Sequence, residues 1–264
     1  MNLDDIRELY DKEQRLEIEY ASARREIAGP VVRLVGLHER RSCVIHSRLE
    51  DGDVTSVIHE QVSYFGSLGH DFEWKVYSHD PPPDLPDQLQ ARGFEAEETE
   101  AIMVLDLHQL PGGLVSPTDH QVRRIVSRDE LADVIAVHSA ISRDDGFELE
   151  DRLGRELEER PEQTGIYVAY VDNEPASAAW INLDPRSQFA SLWGGSTVSQ
   201  HRRRGLYTSL VAARAQEARR RGFRYLTADA RNTSRPVLER LGLKVMTFAT
   251  AMHWRANSPG AIRS

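Results

Sequence analysis

The chain of 264 residues contains one cysteine, Cys43. A single thiol excludes an internal disulfide framework and any multi-cysteine zinc site, and it predicts a reducing, cytoplasmic setting. Long apolar runs are also missing. The longest unbroken aliphatic stretch is residues 101–105, far below the roughly eighteen apolar residues a membrane-spanning helix needs, so no membrane partner is expected. The amino terminus, MNLDDIRELYDKE, is acidic and amphipathic, without the basic start or apolar centre of an export signal. No Walker pattern, GxGxxG, GxSxG or HExxH motif occurs, which removes the commonest nucleotide, hydrolase and metalloprotease sites. The ten histidines are scattered, so no metal is expected.

Hydrophobic residues make up 40% of the chain and charged residues 28%, a balance that supports a packed core in one large or two small domains. The net charge of -9 disfavours wholesale binding to nucleic acid. Its distribution is uneven, because residues 200–264 hold 14 of the 33 Lys and Arg but only 3 of the 42 Asp and Glu. The last quarter of the chain either receives an anionic ligand or docks on the acidic remainder.

Periodicity predicts a helix over residues 4–26 stopped by Gly29 and Pro30, then strands near 31–35 and 42–46, a helix over 54–65 and a strand over 72–77. A short helix near 84–92 closed by Gly93 and a strand over 101–107 follow. Pro, Gly and Ser then concentrate in 108–120, which sets a predicted boundary between domains 1–115 and 116–264. Beyond it come a strand over 122–126, helices near 130–140 and 148–158, a hairpin turning at Asp172-Asn173-Glu174 and a strand over 189–198. A polar basic loop over 200–205 opens directly into a helix ended by Gly222. A strand over 223–228, a short helix over 235–241 and a strand over 245–254 finish the pattern. The segments FEWKVYSHDPPPDLPDQLQARGF and FRYLTADARNTSRPVLERLGL share a strand, a Pro-containing turn, a short helix and a terminal Gly; duplication and convergence on a common unit explain this echo equally well. The first half is acidic, LEDGDVTSVIHEQ, where the second has its basic loop, so it is not expected to hold a polyphosphate.

Gly205 sits at the strand-to-helix turn of VSQHRRRGLYTSL. A glycine there lets backbone amides approach a ligand, with the helix dipole behind them and Arg202, Arg203 and Arg204 adding charge. The bland alternative is a solvated basic surface loop.

Residues 121–254 resemble a GNAT-type acyltransferase domain. The resemblance rests on a strand ending in Val198, on the RxxGx(G/A)-like run Arg202, Arg203, Arg204, Gly205, Leu206, Tyr207 that opens a helix, and on the later FRYLTADA and LERLGLKV. It implies a mixed, mostly antiparallel α/β (α+β) sheet flanked by helices, the acyl-CoA N-acyltransferase (GNAT) fold. With the echo in the first half it implies two tandem GNAT-like domains, the first of them non-catalytic. It also implies an N-acetyltransferase that uses acetyl-CoA as donor and a small-molecule or peptide amine as acceptor. In that reading amides from Arg203 to Tyr207 cradle the pyrophosphate, Ser196, Thr197 and Val198 pair with the pantetheine arm, and an amide near Thr197 or Val198 faces the oxyanion. Asn232 falls where many relatives place a CoA-contacting Asn; its alternative is a turn residue.

Two departures from the pattern stand out. Tyr207 replaces the last small residue of the signature, and its spacing with Leu210 and Val211 turns it toward the core. Leu238 occupies the position where many relatives carry a proton-donating Tyr, and a leucine cannot donate a proton. No general base is identified; Asp229 and Glu239 are candidates that are more commonly solvated carboxylates. Trp180 and Trp193 either line a cleft or pack in the core, and Glu156, Glu158, Glu159 and Glu162 form an acidic cluster. A catalytically silent acyl-CoA-binding module and, ranked last, a nucleic-acid patch formed by Arg202 to Arg204 with Arg219 to Arg221 are the competing functions. The first helix either packs in its own domain or mediates a homodimer.

Overall fold

A computed structural model describes residues 2–20, 22–37, 41–49, 53–115, 120–141 and 146–256. In chain order these form α1 (Leu3–Asp11), a π-helical turn (Lys12–Leu16), β1 (Ala23–Ala28), β2 (Val31–Gly36), β3 (Arg41–Ser47), α2 (Val54–Leu68), β4 (Asp71–Tyr77), α3 (Leu85–Gln90), β5 (Glu95–Ala96), β6 (Glu100–Asp106), α4 (Gly112–Val115) and β7 (Gln121–Ile125). They continue with α5 (Leu131–Ser139), α6 (Gly146–Glu159), β8 (Thr164–Val171), β9 (Glu174–Asn182), β10 (Phe189–Thr197), α7 (Leu206–Arg220), β11 (Tyr225–Ala230), α8 (Arg235–Arg240) and β12 (Lys244–Trp254). Strand pairing is mixed and mostly antiparallel; β3 with β4 and β10 with β11 are the parallel pairs among the described registers. No described helix is long and apolar enough to cross a membrane.

Two compact units emerge, and they are not the segments separated by the Pro, Gly and Ser-rich stretch. One comprises Asn2–Ile102 with Val245–Ser264, the other Met103–Lys244. The chain's last strand therefore belongs with the amino-terminal unit, where Ala249 to Trp254 pair with Tyr77 to Phe72 of β4 and β12 also pairs with β5. Backbone hydrogen bonding across a ladder, which leaves no sequence signature of its partner, decides this assignment. The boundary expected at 115/116 abuts residues 116–119, which lie outside the described residues.

In the amino-terminal unit the strand order is β1-β2-β3-β4-β12. Its core gathers Phe65, Phe72, Trp74, Leu85, Leu89, Met252 and Trp254, with α2 and α3 supplying apolar faces to the sheet. The expected helix over residues 4–26 is corrected here. Helix ends with the π turn at Leu16, and Ala23–Ala28 is a strand paired residue by residue with Val31–Gly36. Gly29, at φ 56°, and Pro30 thus turn a hairpin and do not stop a helix.

The paired register of β3 and β4 ends at Val44 and Trp74, although β3 continues to Ser47 and β4 to Tyr77. Arg15, projected from the π turn and almost wholly buried, occupies this parting. It donates to the Ile45 carbonyl at 3.2 Å, to Asp11 at 2.8 Å and to Asp80 at 2.5 Å, and it stacks on the Tyr77 ring at 3.8 Å. His79 bonds Asp11 at 2.8 Å and the Thr247 hydroxyl at 2.9 Å, closing the network. Burial opposes charge on Asp11, but the hydrogen bonds from His79 and Arg15 hold its carboxyl below the usual range. The acidic residues 50–52, which argue against a phosphate site, lie outside the described residues.

In the carboxy-terminal unit the order is β6-β11-β10-β9-β8-β7, with β6 contributing its last residues. The β8–β9 hairpin turns on Asp172 and Asn173 at φ 51° and 67°, the left-handed pair a two-residue turn demands. One face of the sheet packs on α5 and α6 through Leu131, Val134, Leu149, Leu153, Ile166 and Trp180.

Removing Arg15 strands two carboxylates in a closed space, so Arg15→Met is expected to cost about 3–5 kcal/mol in urea unfolding, while the exposed-pair control Arg7→Met costs under about 1 kcal/mol. Asp11 stabilises the fold above its unfolded value, and that contribution is lost as pH falls through its depressed folded value. Equal costs for the two substitutions would contradict the assignment.

Candidate functional site

Three sequence features shape one edge of the carboxy-terminal unit: a glycine pair in β10, the basic loop, and the start of α7. The parallel register of β10 and β11 ends at Leu192 and Ala228, yet β10 runs on to Thr197 and β11 to Ala230. The strands part there. On its other side β10 stays paired with β9, through a bulge between Gly194 and Ser196. Gly194 and Gly195 have φ of 73° and 80°. A side chain at 194 would put its Cβ 2.5 Å from the Trp180 ring, and one at 195 would put it 2.8 Å from the Tyr207 ring. Only glycine satisfies both the backbone and the space.

Alternation along the strand decides which amides face the opening. The Val198 N–H donates to the Ala176 carbonyl at 2.9 Å. It is therefore spent on β9, which removes Val198 as an oxyanion donor and leaves Thr197 as the strand-end residue whose amide points to the opposite edge. Ser177 fixes this strand end by donating to the Ser196 carbonyl at 2.7 Å, and its hydroxyl meets that of Thr197 at 2.8 Å. Val198 itself packs against the hydrophobic core.

The chain then makes a single 3-10 turn, Ser199–His201, and enters α7. Arg203 and Gly205 take left-handed φ of 62° and 85°. Arg202 Nε donates to the Thr197 carbonyl at 3.2 Å, Arg204 Nη1 lies 3.2 Å from His201 Nδ1, and all three arginines are exposed. Within α7 the first intrahelical acceptor is the Gly205 carbonyl, bonded by Ser209 N–H at 2.9 Å. The amides of Leu206, Tyr207 and Thr208 are thus left without helical partners, and no side chain caps the helix at Gly205. An uncapped helix start beside three guanidinium groups suits an anionic oxygen cluster. The loop is tied across the unit, because His120 Nε2 donates to the Arg204 carbonyl at 2.6 Å and stands 3.4 Å from where a Cβ at Gly205 would lie.

Leu206 is buried, anchoring the helix start. Tyr207 is half-buried with its ring across Gly195, so its bulk goes to the bulge and away from the first-turn amides. Burial raises its phenol, and the neighbouring Arg214 charge lowers it in part. Asn232 is exposed in the turn between β11 and α8, where Ser234 N–H bonds the Arg231 carbonyl at 3.0 Å. Leu238 is buried on α8. Glu239 is paired with Arg235 at 2.8 Å, the surface i,i+4 arrangement, which makes it a poor base candidate; Asp229 is half-buried at the unpaired end of β11. The two tryptophans divide: Trp180 is core, whereas Trp193 is 40% exposed. Within the acidic cluster, Glu158 pairs with Arg128 at 2.8 Å and Glu156 accepts from Thr164 at 3.2 Å. Sequence reasoning missed Gly194, Gly195, Ser177, His120 and Arg214. The GG pair inside a predicted strand was the one readable signal, since glycine there marks a bulge or a close approach.

A parted parallel pair, a glycine bulge and an uncapped basic helix start thus lie together on one segment of the carboxy-terminal unit. Residues 134–243 match the model of the acetyltransferase (GNAT) family. The fold agrees. A GCN5-related N-acetyltransferase from Kribbella flavida, 17% identical, superposes with a TM-score of 0.65 over 94% of each chain. A functionally unknown conserved protein from Staphylococcus epidermidis ATCC 12228, 13% identical, gives 0.67 over 93% of this chain and 98% of its own. A tandem GNAT protein from the clavulanic acid biosynthesis pathway, 13% identical, gives 0.63 over 94% and 88%. At these identities the likeness is one of fold. No curated protein matches the chain in sequence.

The bulge yields a stability test with an internal control. Gly93 has φ 87° but nothing within 4 Å of its would-be Cβ, so Gly93→Ala costs the backbone term alone, about 1–2 kcal/mol. Gly195→Ala adds the contact with Tyr207 and is expected to cost about 2–4 kcal/mol by urea unfolding. Equal costs would mean that Tyr207 does not pack on the bulge.

Proposed function

We propose that the chain is an acyl-CoA-dependent N-acetyltransferase that passes an acetyl group from acetyl-CoA to a primary amine by direct attack. The observation that carries this reading is the parting of β10 from β11 after Leu192 and Ala228, with an uncapped helix start at its mouth. The first-turn amides at Leu206 and Tyr207, with Arg203, Arg204 and Gly205, would hold the pyrophosphate; Arg202 would add charge from the loop. Ser196 and Thr197 would line the pantetheine arm, and Thr197 N–H would face the carbonyl oxygen as charge develops there. Asn232 would close the far side of the donor site. The bound thioester supplies an activated carbonyl and a thiol leaving group, so the unit's work is to orient the amine, shield the carbonyl and stabilise charge.

Direct attack is supported by the state of the chain's single thiol. Burial pushes the Cys43 thiol well above its ordinary value, and Glu73 pushes it the same way, so a thiolate is disfavoured at neutral pH. The amino-terminal unit is proposed to be non-catalytic, since Arg15 fills its own strand parting. A small molecule or a peptide terminus serves as acceptor, and the single thiol fits a cytoplasmic setting.

One observation favours a second reading. Leu238, at the position of the usual proton donor, is buried hydrocarbon, which fits a silent acyl-CoA-binding module. Tight acetyl-CoA binding without thiol release across a broad amine panel would select that reading.

Calorimetric titration with acetyl-CoA tests the donor site directly. The wild type is expected to bind with micromolar affinity, and Gly205→Glu to lose at least tenfold more affinity than Gly205→Ala, because both carry the backbone strain but only the first adds a carboxylate. An affinity equal in the two variants, or no binding by a folded wild type, would overturn the assignment.

A further inference from the structure

Of the four tryptophans only Trp193 is exposed, at 40%, against 0% for Trp74, 8% for Trp180 and 4% for Trp254. Indoles are ordinarily packed, and one left in water offers a flat face to a ligand. Trp193 pairs across the strands with Trp180, which packs on the core of α5 and α6, so both indoles lie on that face of the sheet. The helix α7 lies on the other face, since Tyr167, next to Ile166 of that core, donates to Glu217 of α7.

Register places a carboxylate opposite the exposed indole. Leu192 and Ala228 form the last rung between β10 and β11, and Trp193 and Asp229 are the next residue on each strand. Registered residues point to one face of a sheet, and alternation sends the following pair to the other. Trp193 and Asp229 therefore rise from the two lips of the gap on the α5 and α6 face, where the indole is exposed and the carboxylate half-buried. One step before the last rung, on the same face, Thr227 donates to Ser191 Oγ at 3.3 Å and closes the sheet beneath them. Paired strands lie about 4.8 Å apart, so the two side chains start within reach of one small ligand. Arg152 of α6 lies over the Trp180 ring at 5.5 Å, two strands away from Asp229. The helix that opens the donor site thus covers one face, and an amine can enter from the other.

Resting on the N-acetyltransferase reading above, we propose that Trp193 and Asp229 form the ammonium subsite of the acceptor, and that this subsite selects alkyl- and arylalkylamines over α-amino acids. The indole face attracts a cation through its quadrupole, and Asp229 attracts the same charge. An α-amino acid carries its carboxylate on the carbon next to the nitrogen, which brings two negative charges together at the lip.

Tryptophan fluorescence quenching tests the subsite on the full chain without turnover. Aqueous quenchers read Trp193 because the other three indoles are buried. Quenching by the cation N-methylpyridinium, relative to the anion iodide, is expected to be at least about threefold stronger in the wild type than in Asp229→Asn. Neutral acrylamide is expected to quench both alike, and Trp193→Phe to lose the quenching by all three. 2-Phenylethylamine is expected to shield Trp193 from acrylamide at about tenfold lower concentration than phenylalanine, which differs from it by the carboxylate alone. An Asp229→Asn ratio equal to that of the wild type, or a Trp193→Phe variant quenched like the wild type, would overturn the subsite. Equal shielding by the two amines, or shielding by neither, would overturn the acceptor class. Should Asp229→Asn not melt cooperatively, the two amines on the wild type decide. Failure of acetyl-CoA to bind in the titration above removes the donor site while the charge bias at Trp193 persists, so the two failures are told apart.

Discussion

The parting of two parallel strands is the constraint on which the rest of the carboxy-terminal unit depends. Parallel pairing of β10 and β11 satisfies both edges of β10 up to Leu192. Beyond that point one edge stays bonded to β9 and the other opens. An open edge inside a sheet exposes backbone donors and acceptors that must be satisfied by something. In the proposed function the extended, amide-containing arm of the donor would satisfy them. The glycine bulge makes the opening sterically possible, since residues 194 and 195 adopt left-handed conformations with Trp180 and Tyr207 pressed against them. The helix start then follows within the same loop, so that one continuous segment from Gly194 to Thr208 carries both the open strand edge and the uncapped helix start.

The same constraint appears in the amino-terminal unit with the opposite resolution. There β3 and β4 part after Val44 and Trp74, and the exposed Ile45 carbonyl is satisfied by Arg15 of the same chain. Asp80 and Asp11 neutralise the guanidinium and Tyr77 covers its face. A π turn at Lys12–Leu16 projects the side chain, in line with the tendency of such turns to mark specialised sites. Each unit thus buries an arginine close to its strand parting. Arg15 pairs with two carboxylates, whereas Arg214 donates to the Leu210, Trp180 and Trp193 carbonyls.

Much of this was legible in the sequence, for physical reasons that can be traced. The basic loop, Gly205 and the apolar face of α7 were readable because turn chemistry and helical period are local properties. The echo between the two halves corresponds to real elements, β4 with α3 and β11 with α8, each helix followed by a left-handed glycine at Gly93 and Gly242. Helical spacing failed over residues 23–26, where Ala23 and Arg25 belong to a strand whose partner supplies its hydrogen bonds. Tyr207 was read as core-facing, but the glycine that receives its ring is twelve residues earlier on another element. Arg214 gave no signal at all, because an arginine in a helix with basic neighbours reads as a solvated charge until its burial is known. The loss of Val198 as a donor likewise depends on a ladder partner, Ala176, that no local pattern names.

Hydrogen exchange read by mass spectrometry, with and without acetyl-CoA, tests the central claim most directly, because it reports on both strand partings in one experiment. The account predicts that acetyl-CoA slows exchange in peptides spanning residues 193–208 and leaves peptides spanning 42–49 and 71–80 unchanged. Protection of the β3 and β4 peptides, or binding without protection of 193–208, would contradict it.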